Sequence, residues 1–190
     1  MEHNTKYYSQ RGEDVWLMNN YESIFNKENS YTYLDIGAAD AEVNSNTRIL
    51  DNLSNWSGVC YEPNPVYDNS YAATGRNRIK KAVTPLFTGT IGFDFNGIPE
   101  IGKIGGNDIV PCVSVKDLME RWKHIDLLSI DVEGGEFEIV RELLRYTEPT
   151  IIISEYNTLG KYDFRLANYI TSNGYNIVHL TKFNFIFQYG

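Results

Sequence analysis

The sequence predicts an α/β fold on a mostly parallel sheet, with a C-terminal hairpin that makes the sheet mixed. Three observations carry that prediction. Tyr31–Ile36, Trp56–Tyr61, Ile125–Ile130 and Thr150–Ser154 are short, largely apolar runs, the pattern of strands buried on both faces. Helical patterns fall between them, which is how parallel strands are joined. Each run ends in an acid or a glycine turn, at Asp35-Ile36-Gly37, Glu62, Asp131-Val132-Glu133-Gly134 and Glu155. Ligands in such sheets bind outside the carboxyl ends of the strands, so these four tips define the expected site.

The remaining elements follow from local pattern. Glu13–Phe25 carries a rough apolar stripe through Val15, Trp16, Tyr21 and Ile24 and reads as a helix. Asn44–Leu53 is expected to be a second helix, capped by Asn44 or Ser45, with Ile49, Leu50 and Leu53 inward. Glu62-Pro63-Asn64-Pro65 closes the second strand, since neither a strand nor a helix interior tolerates it. Val66–Ala73 reads as a short helix and Ile79–Val83 as a third strand. Thr90–Phe95 adds a strand with Asn96-Gly97 as its hairpin turn. Ile101–Gly106 is glycine-rich and expected to be a mobile loop. Val110–Val113 is extended, Val115–Trp122 helical, and a helix runs from about Glu136 to Leu144. Phe164–Asn173 is helical up to Gly174, and Tyr175–Leu180 and Phe183–Tyr189 form the final pair.

Bulk composition bounds the function. At 190 residues, 42% hydrophobic and 14% aromatic, the chain can bury a core as one domain, without disulfides or metals. We expect residues 1–30 to form a cap segment and 88–108 a hairpin or loop insertion. There is no apolar run long enough to span a membrane and no apolar signal core near the N-terminus. Cys60 and Cys112 fit neither a zinc nor a redox spacing, and both sit in apolar runs. Reduced, buried thiols suggest a cytoplasmic setting. A net charge of −8 argues against a broad grip on nucleic acid.

Chemistry is expected at the strand tips. Gly37 would let the backbone pass close to a ligand, and a helix N-terminus after it would favour an anionic group. The stretch from Gly37 to Glu42 has one glycine, so it is no dinucleotide fingerprint. Glu62, held at its tip by the Pro63-Asn64-Pro65 lock, can accept hydrogen bonds from both hydroxyls of a ribose. Asp131, Glu133 and Glu136 crowd around Gly134-Gly135, and acids so close repel unless they share a proton, a metal or a cation. Asp131 stands where a general base would, and Glu155 is a further candidate on the acceptor side. Asp131 and Glu133 could hold a divalent metal, but no His or Asn completes the set, so no metal is predicted. Glu136 reads as a helix N-terminal acid. Among the histidines, His3 is in the tail, His124 precedes the fourth strand at the wrong end of the sheet, and His179 is in the C-terminal pair. No Ser-His-acid set is visible.

Four ordered motifs then resemble the FkbM family of S-adenosylmethionine (SAM)-dependent methyltransferases over nearly the whole chain. They are Ser9-Gln10-Arg11-Gly12-Glu13-Asp14; Asp35 to Ala41 followed by Ser45-Asn46-Thr47; Asn55 to Pro65, with Trp56, Gly58 and Glu62-Pro63-Asn64-Pro65; and Asp126 to Glu136, with Asp131, Glu133 and Gly134. Ala41 stands where the family usually has glycine, and so does Asn55. The resemblance implies a three-layer Rossmann-like methyltransferase fold, its seven-stranded mixed sheet ending in an antiparallel C-terminal strand. It implies SAM bound by Gln10, Asp35, Gly37, Ala38, Asp40, Ser45, Asn46, Thr47, Glu62, Pro63, Asn64 and Asp131. Asp131, Glu133 and Glu155 would then be catalytic.

The activity so implied is O-methylation of a hydroxyl on a sugar, glycan or small natural product. Gln10, Glu13 and Asp14 are expected to help close the pocket, with a helix cap as the plainer reading. One rival is a ribose 2′-O-methyltransferase on RNA, for which Lys6 could serve but a second lysine is not obvious. The other is a non-catalytic SAM- or nucleotide-binding module whose site Ala41 has spoiled.

Overall fold

The computed structural model describes residues 5–95, 102–158, 161–162 and 164–190, with only the backbone at 157–158 and 161–162. His3 and the expected Asn96-Gly97 turn lie outside them, as does Ile101 at the start of the expected glycine-rich loop. Helix α1 (Glu13–Ile24) leads into β1 (Tyr31–Ile36), and β2 is Trp56–Tyr61. Helix α2 (Asp68–Thr74) precedes β3 (Arg78–Ile79) and β4 (Ala82–Thr84). Strands β5 (Gly89–Asp94), β6 (Lys103–Ile104) and β7 (Asp108–Ser114) come next, then α3 (Val115–Trp122), β8 (Leu127–Ile130) and α4 (Glu136–Leu143). After β9 (Ile151–Glu155) a two-residue hairpin, β10 (Asn157–Thr158) with β11 (Lys161–Tyr162), leads to α5 (Arg165–Ser172), β12 (Tyr175–Leu180) and β13 (Asn184–Tyr189).

The main sheet has seven strands in the order β12-β13-β9-β8-β1-β2-β3. The β9–β8–β1–β2–β3 pairs are all parallel, while β13 runs antiparallel to both β9 and β12. Alternation along the strands divides two cores. Leu34, Ile36, Leu128, Ile130 and Ile152 pack with Leu118 of α3, Ile139 and Leu143 of α4 and Ile170 of α5. Tyr33, Cys60, Leu127, Ile151 and Ile153 pack with Leu17 and Tyr21 of α1, with Leu50 and with Tyr71 of α2. Each fully buried aliphatic side chain contributes about 1.5–3 kcal/mol. The strands therefore hold their tips rigidly. Both cysteines are buried and unpaired.

Three local expectations are corrected. The stretch expected to be one third strand bends after Ile79, where Lys81 N–H closes a tight turn on the Ile79 carbonyl at 2.8 Å. Arg78–Ile79 ends the main sheet, and Ala82–Thr84 joins a second sheet in the order β4-β7-β5-β6. Within the glycine-rich stretch Lys103–Ile104 form β6 and pair with β5, so those two residues belong to that sheet rather than to a loop. The expected helix at Asn44–Leu53 shrinks to a 3-10 turn at Arg48–Asn52. Asn44 sits at φ +60, outside helical space. Ser45 Oγ accepts from Arg48 N–H at 3.2 Å as a cap would, but Ser45 and Thr47 are also held by a buried arginine, and only the short turn follows.

Candidate functional site

A cavity of about 590 Å³ opens at the carboxyl ends of β1, β2, β8 and β9. Of the residues expected there, Gln10, Asp35, Gly37, Ala38, Ser45, Asn46, Glu62, Pro63, Asp131, Glu133 and Glu155 line it. The second sheet supplies a wall through Ala82, Val83, Phe93 and Ile104, and Phe183 of the C-terminal turn also reaches it. Phe93 and Phe183 escaped the sequence reading because nothing local marks an aromatic residue as facing a cavity built by another sheet.

Three expected residues face elsewhere. The Asp40 carboxylate accepts the N–H groups of Glu42 and Val43, both at 2.9 Å. Burial opposes its ionisation, but those bonds hold its pKa below the ordinary carboxylate value. Thr47 is fully buried and donates to Asp35 at 2.5 Å. Asn64 is buried and caps the 3-10 turn at Pro65–Tyr67 by accepting from Val66 N–H.

Arg76 is the organiser that the sequence did not reveal; a lone arginine after Gly75 carries no motif. It is buried behind the loop after β1 and donates to the Ala41 carbonyl (2.9 Å), Ser45 Oγ (3.0 Å) and Thr47 Oγ1 (2.7 Å). Its Nε pairs with Asp51 at 2.7 Å, and Asp51 also accepts from Tyr33 Oη at 2.6 Å. Asp35 is 4% exposed inside this network. Burial raises its pKa; the Arg76 charge and the Thr47 hydrogen bond oppose that rise.

Gly37 is required by a close approach, though not to a ligand. At φ +73, a Cβ there would lie 1.7 Å from the Asp131 carbonyl oxygen. The two strand tips touch through it. The loop amides are also spent within the protein. Gly37 N–H donates to the Tyr61 carbonyl at 2.9 Å and Ala39 N–H to Glu62 at 3.1 Å. The helix N-terminus expected after Gly37 is therefore not built. Ala41 is fully buried and its φ is not positive, so alanine fits where glycine was expected.

Two sets of carboxylates line the cavity, from strands on either side of β1. Glu62, 7% exposed, accepts from Asn64 N–H at 2.7 Å and from Ala39, and burial raises its pKa against those bonds. On the other side of β1, Asp131, Glu133 and Glu155 bring one oxygen each to within 4.8 Å of the others. Burial, then the charges of Glu155, Glu133 and Glu136, push Asp131 well above the ordinary carboxylate range. Glu133 is raised by burial and by Glu136. It also sits at φ +58, and with Ala39 and Asn44 it makes three non-glycine residues in left-handed backbone around this cavity.

Of the expected cap residues only Gln10 reaches the cavity. Glu13 and Asp14 are fully buried and consumed in holding the N-terminal segment. Ser9 bridges to Asn44, which lays that segment beside the loop. Lys6 is exposed and pairs with Glu42 at 2.7 Å, away from the cavity. His124 pairs with Asp126 at the far end of β8, and His179 stacks on Trp16.

A family profile described as the Methyltransferase FkbM domain matches residues 35–177, from the Asp35 tip into β12. The chain belongs to the FkbM methyltransferase family. A comparison with curated proteins returns no match. Two solved structures share the fold. The methyltransferase FkbM from Methylobacillus flagellatus KT superposes with a TM-score of 0.59 at 16% identity, over 84% of this chain and 44% of that one. This chain thus spans under half of that protein. A precorrin-6y C5,15-methyltransferase from Geobacter metallireducens GS-15 gives a TM-score of 0.51 at 15% identity, over 90% and 85% of the two chains. The FkbM domain match covers the acids on both sides of the cavity, whereas Gln10 and the rest of the N-terminal segment lie outside it.

Proposed function

We propose that this FkbM-family chain is a SAM-dependent O-methyltransferase. In this reading residues 1–190 form one three-layer Rossmann-like domain, with 1–30 as its cap and the second sheet as its acceptor wall. The acceptor would be a hydroxyl of a sugar, glycan or small natural product. The observation that carries the reading is Glu62, a buried carboxylate at the tip of β2 facing a cavity floored by Asp131. The cavity volume lies in the range of small-molecule sites. Glu62 keeps lone pairs beyond its two backbone donors, as a ribose acceptor must.

When bound, SAM supplies a methyl on a positively charged sulfur, already activated for in-line displacement. The chain's task is then alignment. Glu62 and the loop from Gly37 to Asn46 would hold the nucleoside part. Asp131 would orient the acceptor hydroxyl and take its proton, and burial and the neighbouring acids make its carboxylate a stronger base than a free one. Glu133 and Glu155 would keep its pKa high. The acidic balance and the Lys6–Glu42 pair weigh against RNA as acceptor. Buried Ala41 weighs against a spoiled site. Free thiols at Cys60 and Cys112 are consistent with a cytoplasmic location.

Calorimetric titration with SAM and S-adenosylhomocysteine tests the reading. Micromolar binding that is lost in Glu62→Ala supports it. No binding to the wild type sinks it.

A further inference from the structure

Asp131 and Glu133 from the end of β8 and Glu155 from the end of β9 meet on one side of the cavity. Two oxygens bound to one hard cation at about 2.3–2.6 Å can be no more than about 5 Å apart. The 4.8 Å limit on this trio satisfies that condition. Proximity alone is weak, because acids gather without ions. The independent observation is that Asp131 Oδ1 and Glu133 Oε2 are both out of contact with solvent and accept no hydrogen bond. Buried polar atoms are almost always partnered. The N–H groups of Val132, Gly134 and Gly135 are already taken by Glu136, each at 3.0 Å. Lys103 is the cation whose charge reaches Glu133, and its side chain is exposed.

We propose that Asp131, Glu133 and Glu155 form a binding site for a divalent cation that prefers oxygen ligands, such as Mn²⁺, Mg²⁺ or Ca²⁺. Three carboxylate oxygens fill half of a six-coordinate shell. The rest would face the cavity, where an acceptor oxygen sits on the methyl-transfer reading; that placement of the acceptor rests on that reading, and the cation site itself does not.

The test is Mn²⁺ binding to the full chain, followed by electron paramagnetic resonance and by calorimetry. Wild type, Asp131→Asn, Glu155→Gln and Lys103→Ala are compared with Glu120→Gln, a charge-matched control on the exposed side of α3. We expect one Mn²⁺ per chain in wild type, Lys103→Ala and Glu120→Gln. We expect binding weakened about tenfold or more in Asp131→Asn and Glu155→Gln. No Mn²⁺ binding to wild type, or equal binding in all variants, would overturn the site. Binding to Lys103→Ala but not to wild type would also overturn it, with Lys103 as the cluster's counter-ion. S-adenosylhomocysteine is titrated into the same samples. Its binding without any Mn²⁺ binding rejects the cation site and leaves methyl transfer standing. Mn²⁺ binding without the nucleoside supports the cation site and counts against the SAM reading.

Discussion

Glu13 and Asp14 at the start of α1, and Asp131, Glu133 and Glu155 at the tips of β8 and β9, are acidic groups drawn wholly or partly out of water. Their surroundings treat them in opposite ways. Asp14 accepts from the backbone of Tyr8, Ser9 and Val15 and from the Ser9 hydroxyl. Glu13 accepts from Arg11 N–H, from Thr181 Oγ1 at 2.7 Å and from Asn184 Nδ2 at 2.9 Å. The strand-tip acids instead have one another as neighbours, and two of their oxygens have no donor. A buried acid whose oxygens are matched by donors is part of the scaffold. One left short of donors beside other acids is a candidate for chemistry.

The largest expected effect falls on Asp131, whose hydrogen-bonding neighbour is another acid, Glu155. Asp131→Asn should lower turnover by about 10²–10⁴ if Asp131 is the base. It should also raise the melting temperature near neutral pH. The folded pKa of Asp131 lies above its unfolded value. Its favourable contribution is therefore present below the unfolded pKa and is lost as pH rises through the folded one. The variant's advantage should grow from about pH 4 upward and vanish below it. Calorimetric melting in chelator-containing buffer across that range decides it; a lower melting temperature for the variant at neutral pH would place Asp131 with Glu13 as a scaffold residue.

Arg76 extends the comparison to a buried cation. Arg76→Met removes an ion-pair partner of Asp51 and the donor to the Ala41 carbonyl, Ser45 Oγ, Thr47 Oγ1 and Tyr33 Oη at once, and should cost about 3–5 kcal/mol in urea unfolding. Glu13→Gln should cost less, about 1–3 kcal/mol, because one of its donors is left without an acceptor. Burial pushes the Glu13 pKa up, but the bonds from Asn184, Thr181 and the backbone bring it below the ordinary value. Its stabilisation is thus present above the unfolded pKa and is lost as pH falls through the folded one. The wild type's margin over Glu13→Gln should shrink on acidification, opposite to the trend for Asp131→Asn. Parallel trends would mean that hydrogen-bond satisfaction does not separate the two groups.

Legibility of the sequence follows the same division. Tyr31–Ile36 and Trp56–Tyr61 are strands with the bounds their apolar runs suggest, since burial on both faces leaves little choice of register. The acids at four strand tips could be placed because the parallel sheet itself fixes which end faces the ligand. Asp40, Thr47 and Asn64 could not be sorted from Ser45 and Asn46 by motif. Thr47 turns inward because Arg76, distant in sequence, draws it there. Glu13 and Asp14 stand in a motif with Gln10, yet only contacts with Ser9, Thr181 and Asn184 distinguish scaffold from rim.

Glu136 offers the finest test, because it shares a strand tip with Asp131 but has the partners of Glu13. Its carboxylate accepts three backbone N–H groups, at Val132, Gly134 and Gly135, at the first residue of α4. The helix dipole adds to that anchorage. Glu136→Gln also removes a negative charge that raises the pKa of Asp131 and Glu133, which on electrostatics alone would stabilise the fold. Hydrogen bonding and repulsion therefore predict opposite signs. Charge-assisted bonds of this kind contribute about 1.5–3 kcal/mol each when fully lost, and glutamine retains one acceptor oxygen. We expect a net loss of about 1 kcal/mol in urea unfolding near neutral pH. A gain would mean that repulsion among the tip acids outweighs their local hydrogen bonds, and that partnered and unpartnered acids at this tip act as one electrostatic unit.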